Sequence, residues 1–224
     1  MFFLLNTVLY YIGWLALKAI IRVRLQKDIA WYAPMPRGPK ILVANHPSVS
    51  DPFILPTTVR DQTSILIFGP VFGIPLFGRY LKMSGHVPVY ADNHRKAFDA
   101  ALKHLKEGIS VLIFIEGKVS PNPSEYARPH TGPVRLAYES GAPIVPIGIG
   151  IQPQNLRDIP HIIGRKRSLG RWYIRGRYGV TIGKSLHLTG DTKDKAGVKT
   201  VSNSLMGKIV RLAQESAARI NKKA

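Results

Sequence analysis

A histidine and an aspartate five residues apart have the chemistry for proton transfer. His46 follows an apolar run over residues 41–44, and Asp51 comes immediately before Pro52. If the two side chains meet, the carboxylate holds one ring nitrogen, and the other nitrogen is left to accept a proton. The same residues also fit a plain helix start, with Asp51 as the N-cap and Pro52 as the first helical residue. The pattern by itself leaves both interpretations open.

Strands that alternate with helices must position this pair. Short apolar segments predict buried strands at residues 41–44, 64–68, 86–90, 109–115 and 143–149. Between them the pattern predicts helices at residues 52–59, 92–106 and 131–141, and a broken helix at 69–82. This order predicts an α/β fold with a largely parallel sheet flanked by helices.

The ends of the predicted strands define a candidate site. In a parallel sheet, His46, the residues after Tyr90 and the segment Glu116-Gly117-Lys118 all fall on the carboxyl edge. Ligand sites of α/β proteins lie at that edge. Asp92 is expected to cap the helix that follows Tyr90.

The C-terminal part differs in character from the rest. Residues 157–184 are strongly basic, and two short segments within them, 172–174 and 180–182, are expected to pair as strands. An amphipathic helix is predicted over residues 198–220. Glycine-containing segments at 148–150 and 179–185 fall short of a dinucleotide fingerprint and of a phosphate-binding loop.

An apolar N-terminal segment suggests a membrane anchor. Residues 2–21 are almost entirely apolar, and Arg22, Arg24 and Lys27 follow directly. A helix of that length measures about 30 Å, which is close to the thickness of a hydrocarbon core. We expect a membrane-associated helix with its basic flank on the cytoplasmic side. Whether it spans the bilayer, lies in the interface or is only a core helix stays open.

The predicted organisation therefore has three parts. Residues 1–27 form the anchoring helix with its basic flank, and residues 28–39 form a proline-containing linker. Residues 40–224 form the main domain, divided into a motif-bearing α/β part (40–150) and a basic part (151–224).

Composition narrows the possible functions. With 32 Lys and Arg against 13 Asp and Glu, the net charge is +19, which attracts an anionic membrane surface or nucleic acid. The apolar N-terminus favours the membrane. The chain has no cysteine, which excludes a Cys nucleophile and thiolate metal sites. Its seven histidines show no metal-binding spacing, and no Gly-x-Ser-x-Gly elbow is present, so neither a metal site nor a typical serine hydrolase is expected.

Several motifs together resemble one family. The segment Asn45-His46-x4-Asp51 resembles the Asn-His-x4-Asp motif of the glycerophospholipid acyltransferases, typified by 1-acylglycerol-3-phosphate (lysophosphatidate) acyltransferases. Residues 114–120 are similar to the third block of that family, residues 144–147 to its fourth, and residues 85–89 stand where the second belongs. The resemblance covers roughly residues 40 to 150, with the blocks in the family's order.

The resemblance implies a membrane-associated O-acyltransferase. His46 would be the general base, and Asp51 would orient and support its ring. The acyl group would pass from acyl-CoA or acyl-carrier protein to the hydroxyl of a lysophospholipid, first of all 1-acylglycerol-3-phosphate, giving phosphatidate. No cofactor other than the donor substrate is expected. The partners would be anionic membrane lipids, the lysolipid and the donor, not nucleic acid, at the cytoplasmic face of a bacterial inner membrane.

The implied acceptor site lies around the third block. Its members would be Asn45, Glu116, Gly117, Lys118 and Ser120, with Arg95 and Lys96 supplying charge.

Two arginines that are usual in the family are missing from this site. Ala91 stands near the end of the second block, and Lys118-Val119 replaces the third block's Thr-Arg. A lysine lacks the bidentate fork of arginine. A different lysolipid, a glycolipid or an aminolipid therefore stays open as acceptor. A catalytically silent relative that binds anionic membranes or nucleic acid is a further alternative.

Overall fold

The computed structural model describes residues 2–59, 61–120, 125–163 and 166–222. The strands within these ranges are β1 (Leu25–Trp31), β2 (Ile41–Ala44), β3 (Thr63–Phe68), β4 (Val87–Val89), β5 (Ser110–Phe114), β6 (Ile144–Ile151), β7 (Leu156–Ile163), β8 (Lys166–Tyr173) and β9 (Gly176–Ile182). The α-helices are α1 (Phe2–Arg24), α2 (Asp51–Ile54), α3 (Phe77–Met83), α4 (His94–Lys106), α5 (Gly132–Ser140) and α6 (Lys195–Lys222). Short 3-10 helices occupy Leu55–Thr58, Gly69–Gly73 and Pro153–Asn155.

Seven strands form one sheet in the order β1-β9-β6-β2-β5-β3-β4. Neighbouring strands are parallel except β6 and β9, which run antiparallel. The prediction of a largely parallel α/β sheet is therefore confirmed. The central strand β2 is buried on both faces, which explains its uninterrupted apolar sequence.

Helices cover both faces of this sheet. Leu42 and Ala44 belong to one apolar core, which also contains Ile21 of α1 and Ile54 of α2. The intervening strand residues face the opposite core, which is completed by α4, α5 and α6. Because side chains alternate along a strand, β2 and β5 each contribute to both cores.

Two glycines let α6 lie directly on β6. A Cβ atom on Gly148 would overlap the backbone of Leu212 and Ala213, and one on Gly150 would overlap the backbone at Ala217. These glycines, which the sequence pattern only suggested as a weak dinucleotide motif, thus permit close helix–strand packing.

Gly148→Ala is expected to lower the free energy of unfolding by about 3 kcal/mol, because helix backbone must move to admit the methyl group. Denaturant unfolding followed by circular dichroism measures the change. Gly207→Ala is the matched control, since a Cβ at that position in α6 meets no other atom. It should stabilise the protein by up to about 1 kcal/mol through helix propensity. Equal unfolding midpoints for the two variants would contradict the proposed packing.

The structure corrects the predicted linker. Residues 25–31 form β1 at the edge of the sheet, parallel to β9, so an ordered strand reaches into the predicted linker 28–39. Lys27, which was predicted to belong to the basic flank, is half-buried, and its Nζ donates to the Thr57 hydroxyl at 3.2 Å. Burial, and then the nearby Lys18, lowers the pKa of Lys27.

The predicted pairing of residues 172–174 with 180–182 is wrong. Strand β8 pairs with β7 in a separate antiparallel hairpin, while β9 joins the main sheet between β1 and β6. Because β7 and β8 carry charges and, apart from Leu156 and Tyr173, lie outside the two cores, their sequences lack the apolar run of a buried strand.

The predicted helix boundaries are close, but two caps differ. Helix α2 begins at Asp51 and has Ser50 at the N-cap position, so Asp51 is not the cap. Asn93, not Asp92, caps α4 by accepting a bond from Lys96 N. Helix α5 has its predicted limits, with Thr131 before it and Gly141 after it at a φ of +68°.

Helix α1 packs against the globular part along one side. Trp14 Nε1 donates to Pro56 O at 3.0 Å, and Ile21 is buried. Several apolar side chains on its other side are exposed: Val8, Ile12, Leu15, Ile20 and Val23. Among the residues that the structure describes, no helix is long and apolar enough to cross a bilayer.

Candidate active site

His46 and Asp51 meet at the carboxyl end of β2. The Nδ1 atom of His46 lies 2.9 Å from Oδ2 of Asp51, so the predicted contact is confirmed. A carboxylate can only accept a hydrogen bond, so Nδ1 carries a proton, and in the neutral ring Nε2 then has a free lone pair. The His46 ring stacks on Phe114 with centroids 4.2 Å apart, and 13% of its side chain remains exposed. The pair therefore presents a proton acceptor to solvent.

Asp51 is fully buried, and each of its carboxylate oxygens accepts two hydrogen bonds. Oδ2 accepts from His46 Nδ1 and from Ser48 N at 2.8 Å. Oδ1 accepts from Ser48 Oγ at 2.7 Å and from Tyr178 Oη at 2.9 Å. The tight turn between His46 and Asp51 follows from these bonds, since the carboxylate folds back on Ser48 instead of capping the helix.

Tyr178 supports this carboxylate from β9, far along the chain. Burial, and then the neighbouring Asp51 carboxylate, raises the pKa of Tyr178 well above its ordinary value. The phenol therefore stays protonated and remains a donor to Asp51. The local sequence around Tyr178 does not indicate this role.

Glu116 holds the loop after β5 against His46. Its Oε1 accepts from His46 N at 3.0 Å and from Ser120 Oγ at 2.8 Å, and its Oε2 accepts from Ala127 N at 2.7 Å. Ser120 N also donates to His46 O at 2.8 Å. The sequence predicts that Glu116 and Ser120 contact the substrate, whereas the structure buries both and engages them in holding the backbone of His46.

Asn45 has a comparable structural task. Its side chain donates to Ile149 O at 2.9 Å and accepts from Ile149 N at 2.7 Å, so it prolongs the pairing of β2 with β6. Buried and bonded in this way, Asn45 fixes the strand end from which His46 projects and is not placed for the predicted substrate contact.

Gly117 allows the chain to turn sharply beside the pair. Its φ is +65°, and a Cβ atom there would lie 2.7 Å from Nε2 of His130. Both facts require a residue without a side chain. The exposed backbone of Gly117 therefore stays open to an approaching ligand.

The predicted cations are distributed unevenly. Lys118 is exposed on the loop that Glu116 holds. Arg95 and Lys96 are exposed at the start of α4, and Arg95 Nε lies 2.9 Å from Asp99 Oδ1. That helix follows β4, three strands from β2 and thus about 14 Å to the side at ordinary strand spacing. The structure therefore brings Lys118 to the pair but not Arg95 and Lys96.

One cation near the pair was missed by sequence reasoning. Arg171 of β8 donates from its guanidinium to Ser120 O at 3.2 Å, and its carbonyl accepts from Val49 N at 2.8 Å. It thus contacts both segments that hold His46. The basic character of residues 157–184 was the only signal in the sequence.

His86, in the predicted second block, is a structural residue. Its Nδ1 accepts a bond from Ile65 N at 3.2 Å. Burial, and then the nearby His104, lowers the pKa of His86 to about 4. This imidazole is therefore neutral near pH 7 and contributes no charge for an anionic ligand.

The arrangement suits base catalysis by an imidazole. A histidine with a free Nε2, oriented by a buried carboxylate, can take a proton from a hydroxyl that attacks a carbonyl. Within the described ranges, no group of three or more His, Cys, Asp and Glu residues is arranged to hold a metal ion.

Comparisons with known proteins agree with this chemistry. Residues 21–150 match the family model described as Acyltransferase. No curated protein matches the sequence. A similar solved structure is that of the 1-acyl-sn-glycerophosphate (LPA) acyltransferase PlsC from Thermotoga maritima. The TM-score is 0.64 with 20% identity, over 94% of this chain and 78% of that chain. At that identity the likeness shows a common fold.

Proposed function

The chain belongs to the acyltransferase family, and on that basis we propose that it acylates a lysophospholipid at a membrane surface. The donor is a thioester, acyl-CoA or acyl-carrier protein. The preferred acceptor is 1-acylglycerol-3-phosphate, and the product is phosphatidate. The observation that carries the proposal is the contact of His46 with the buried Asp51, which leaves Nε2 of His46 as an exposed proton acceptor.

In the proposed reaction, His46 acts first as base and then as acid. Nε2 takes the proton of the acceptor hydroxyl while the oxygen forms a bond to the thioester carbonyl carbon. The tetrahedral intermediate then collapses, the carbon–sulfur bond breaks, and the imidazolium returns the proton to the thiolate. The products are an ester and a free thiol. No acyl-enzyme forms, in keeping with a chain that has no cysteine.

Asp51 and Tyr178 act through His46 in this scheme. The carboxylate stabilises the imidazolium, and the Tyr178 hydroxyl fixes the carboxylate at 2.9 Å. We therefore describe Tyr178 as a positioning residue.

Tyr178→Phe is expected to lower kcat roughly tenfold, since a hydrogen bond to a charged group contributes about 1.5–3 kcal/mol. Its KM for the donor should stay the same. Tyr173→Phe is the matched control, because this buried tyrosine on β8 donates to Arg177 O instead of Asp51. Steady-state kinetics of both variants test the assignment, and an equal fall in kcat for the two would refute it.

Two cations support the recognition of an acceptor phosphate in this proposal. Lys118 is exposed on the loop beside the pair, and the Arg171 guanidinium bonds to the same loop at Ser120 O. An arginine supplies the planar fork that suits phosphate oxygens. Arg171 of β8 would thus supply a guanidinium group to this site. The third block does not supply one, because Val119 stands where the family usually has arginine.

Helix α1 is proposed to lie against the membrane. Its exposed side carries aliphatic residues, among them Ile12, Leu15 and Ile20, and Arg22 and Arg24 follow at its end. An apolar helix face with a basic end suits the headgroup boundary of an anionic bilayer. We place the enzyme at the cytoplasmic face, where its thioester donors are found.

The activity can be tested with purified protein in detergent–lipid micelles. Acyl-CoA is supplied with lysophosphatidate, another lysophospholipid, a lysoglycolipid or an aminolipid in separate reactions. Because the chain has no cysteine, a thiol reagent detects only the released CoA. Mass spectrometry identifies the product.

The expected result is CoA release that depends on lysophosphatidate and yields phosphatidate. If only the glycolipid or the aminolipid gave a product, the protein would still be an acyltransferase, but the proposed acceptor would be wrong. Thioester cleavage that is independent of every acceptor would refute acyl transfer to a lipid hydroxyl.

A further inference from the structure

The β7–β8 hairpin carries large aliphatic side chains into solvent. Ile162 is 61% exposed and Leu169 is 67% exposed. Pro160 pairs with Leu169, and Ile162 pairs with Arg167, so Ile162 and Leu169 lie on the same face of the hairpin. A two-stranded ribbon is only marginally stable in water by itself. Burial of this apolar face would therefore be favourable.

The hairpin is also strongly basic. Its two strands contain one acid, Asp158, and four basic residues: Arg157, Lys166, Arg167 and Arg171. Arg167 is exposed, and because it pairs with Ile162 it lies on the same face as Ile162 and Leu169. A partner that suits this surface must be anionic and must also accept aliphatic side chains.

An anionic bilayer meets both requirements. Its headgroup region binds arginines electrostatically, and the adjoining acyl chains accept aliphatic groups. Nucleic acid attracts the same cations but binds side chains beyond them mainly through aromatic stacking. The exposed Ile162 and Leu169 would gain little there.

The neighbouring elements expose apolar groups as well. The 3-10 helix Gly69–Gly73 packs against β7 and against α3. Leu76, between them, is 84% exposed and has a φ of +60°, an unfavourable conformation for leucine. Helix α3 in turn packs against α1, whose Leu15 is exposed. The hairpin thus belongs to a connected series of elements with exposed apolar groups.

We propose that the β7–β8 hairpin is a second membrane contact, beside α1. Ile162 and Leu169 enter the headgroup region, and Arg167, on the same face of the hairpin, binds lipid phosphate. This goes beyond the proposed function, in which α1 alone touches the membrane, and it does not require turnover.

The base of the hairpin is joined to the candidate active site. Arg171 O accepts from Val49 N at 2.8 Å, and Tyr173 N donates to Ser50 Oγ at 3.0 Å. Membrane contact by the hairpin would therefore hold the turn that contains His46 close to the lipid surface. A lysolipid would then reach the base without leaving the bilayer.

The absence of cysteine in the sequence permits a direct test. Leu169→Cys is labelled with a fluorophore whose emission rises and shifts to the blue in an apolar medium. Vesicles of phosphatidylcholine with phosphatidylglycerol should raise the emission severalfold, and pure phosphatidylcholine vesicles should have little effect. Lys199→Cys, exposed on α6, is the labelled control and should not respond.

Charge variants in the labelled Leu169→Cys protein test the arginine on the contact face. Arg167→Gln should raise the half-saturating concentration of anionic vesicles roughly fivefold. Lys199→Gln removes one exposed charge from α6 and should leave that concentration nearly unchanged.

A third label, at Leu15→Cys on α1, makes the negative result decisive. If anionic vesicles shift the label on α1 but leave the label at Leu169→Cys as in buffer, the hairpin does not touch the membrane. If the label at Leu169→Cys responds to duplex DNA and not to vesicles, the partner is nucleic acid. Either outcome overturns the proposal. Neither one bears on acyl transfer, which is measured separately.

Discussion

His46→Ala is expected to lower kcat roughly 10²- to 10⁴-fold, the usual contribution of a general base. The variant should remain folded, because the His46 side chain is bonded only through Nδ1 to Asp51 and stacked on Phe114, at the end of a strand. Release of CoA in the presence of lysophosphatidate measures the rate, and thermal unfolding checks the fold.

A matched control separates loss of the base from loss of any histidine. His187 is exposed in the segment after β9, near the amino end of β6, whereas His46 lies at the carboxyl end of β2. His187→Ala should therefore keep full activity. If His46→Ala turns over as fast as the wild-type enzyme while remaining folded, another group takes the proton and the proposed mechanism is wrong.

Asp51→Asn should lower kcat by a similar factor, roughly 10²- to 10⁴-fold. Ser48 N donates to the Oδ2 position, so in the variant the oxygen of the asparagine side chain takes this position. The asparagine amide has the shape of the carboxylate that it replaces and fits the same space. His46 then keeps its orientation but loses the negative charge that stabilises the imidazolium. The Oδ1 position faces the hydroxyls of Ser48 and Tyr178. A hydroxyl can accept as well as donate a hydrogen bond, so the asparagine side-chain nitrogen can donate to these two groups.

Kinetics at substrate saturation distinguish this charge effect from a binding defect. For Asp51→Asn the fall should appear in kcat, with little change in KM for lysophosphatidate or for acyl-CoA. Glu139→Gln neutralises an exposed acid on α5 and should match the wild-type enzyme. If the Asp51→Asn variant had a normal kcat, the charge of Asp51 would have no part in catalysis and its role would be structural only.

The central part of the fold was predictable because its signals are local. Strands β2, β5 and β6 are buried on both faces, so each one appears as an uninterrupted apolar run. Helix α5 lies between Thr131 and Gly141, and both residues are ordinary boundary signals. His46 and Asp51 were predictable as a pair because the turn that joins them spans only five residues.

The parts that escaped prediction depend on distant contacts. Strand β1 contains Gln26, Lys27 and Asp28 and is a strand only because β9 lies beside it. Strands β7 and β8 leave the core and lack its apolar pattern. Tyr178 meets Asp51 across 127 positions of sequence, and no local spacing reveals such a contact.

Three of the predicted substrate-binding residues make structural hydrogen bonds that the sequence did not indicate. Glu116, Asn45 and Ser120 were expected to bind the acceptor, whereas their polar atoms bond to His46, Ile149 and the loop after β5. A sequence motif shows that a residue type is needed at a position. It does not show whether the side chain contacts the ligand or forms hydrogen bonds with the protein itself. Burial, which decides between these roles, is a property of the folded chain.

The pairing of β1 with β9 also sets an order of events during synthesis. Residue 25 pairs with residue 176, and at about 5–20 residues per second a ribosome needs roughly 8–30 s to make the chain between them. During that time the apolar α1 has emerged while its neighbouring strand has no partner. A nascent chain that ends at residue 150 already contains His46, Asp51 and Glu116 but lacks Tyr178. The hydrogen bonds around Asp51 are therefore complete only after β9 has been made.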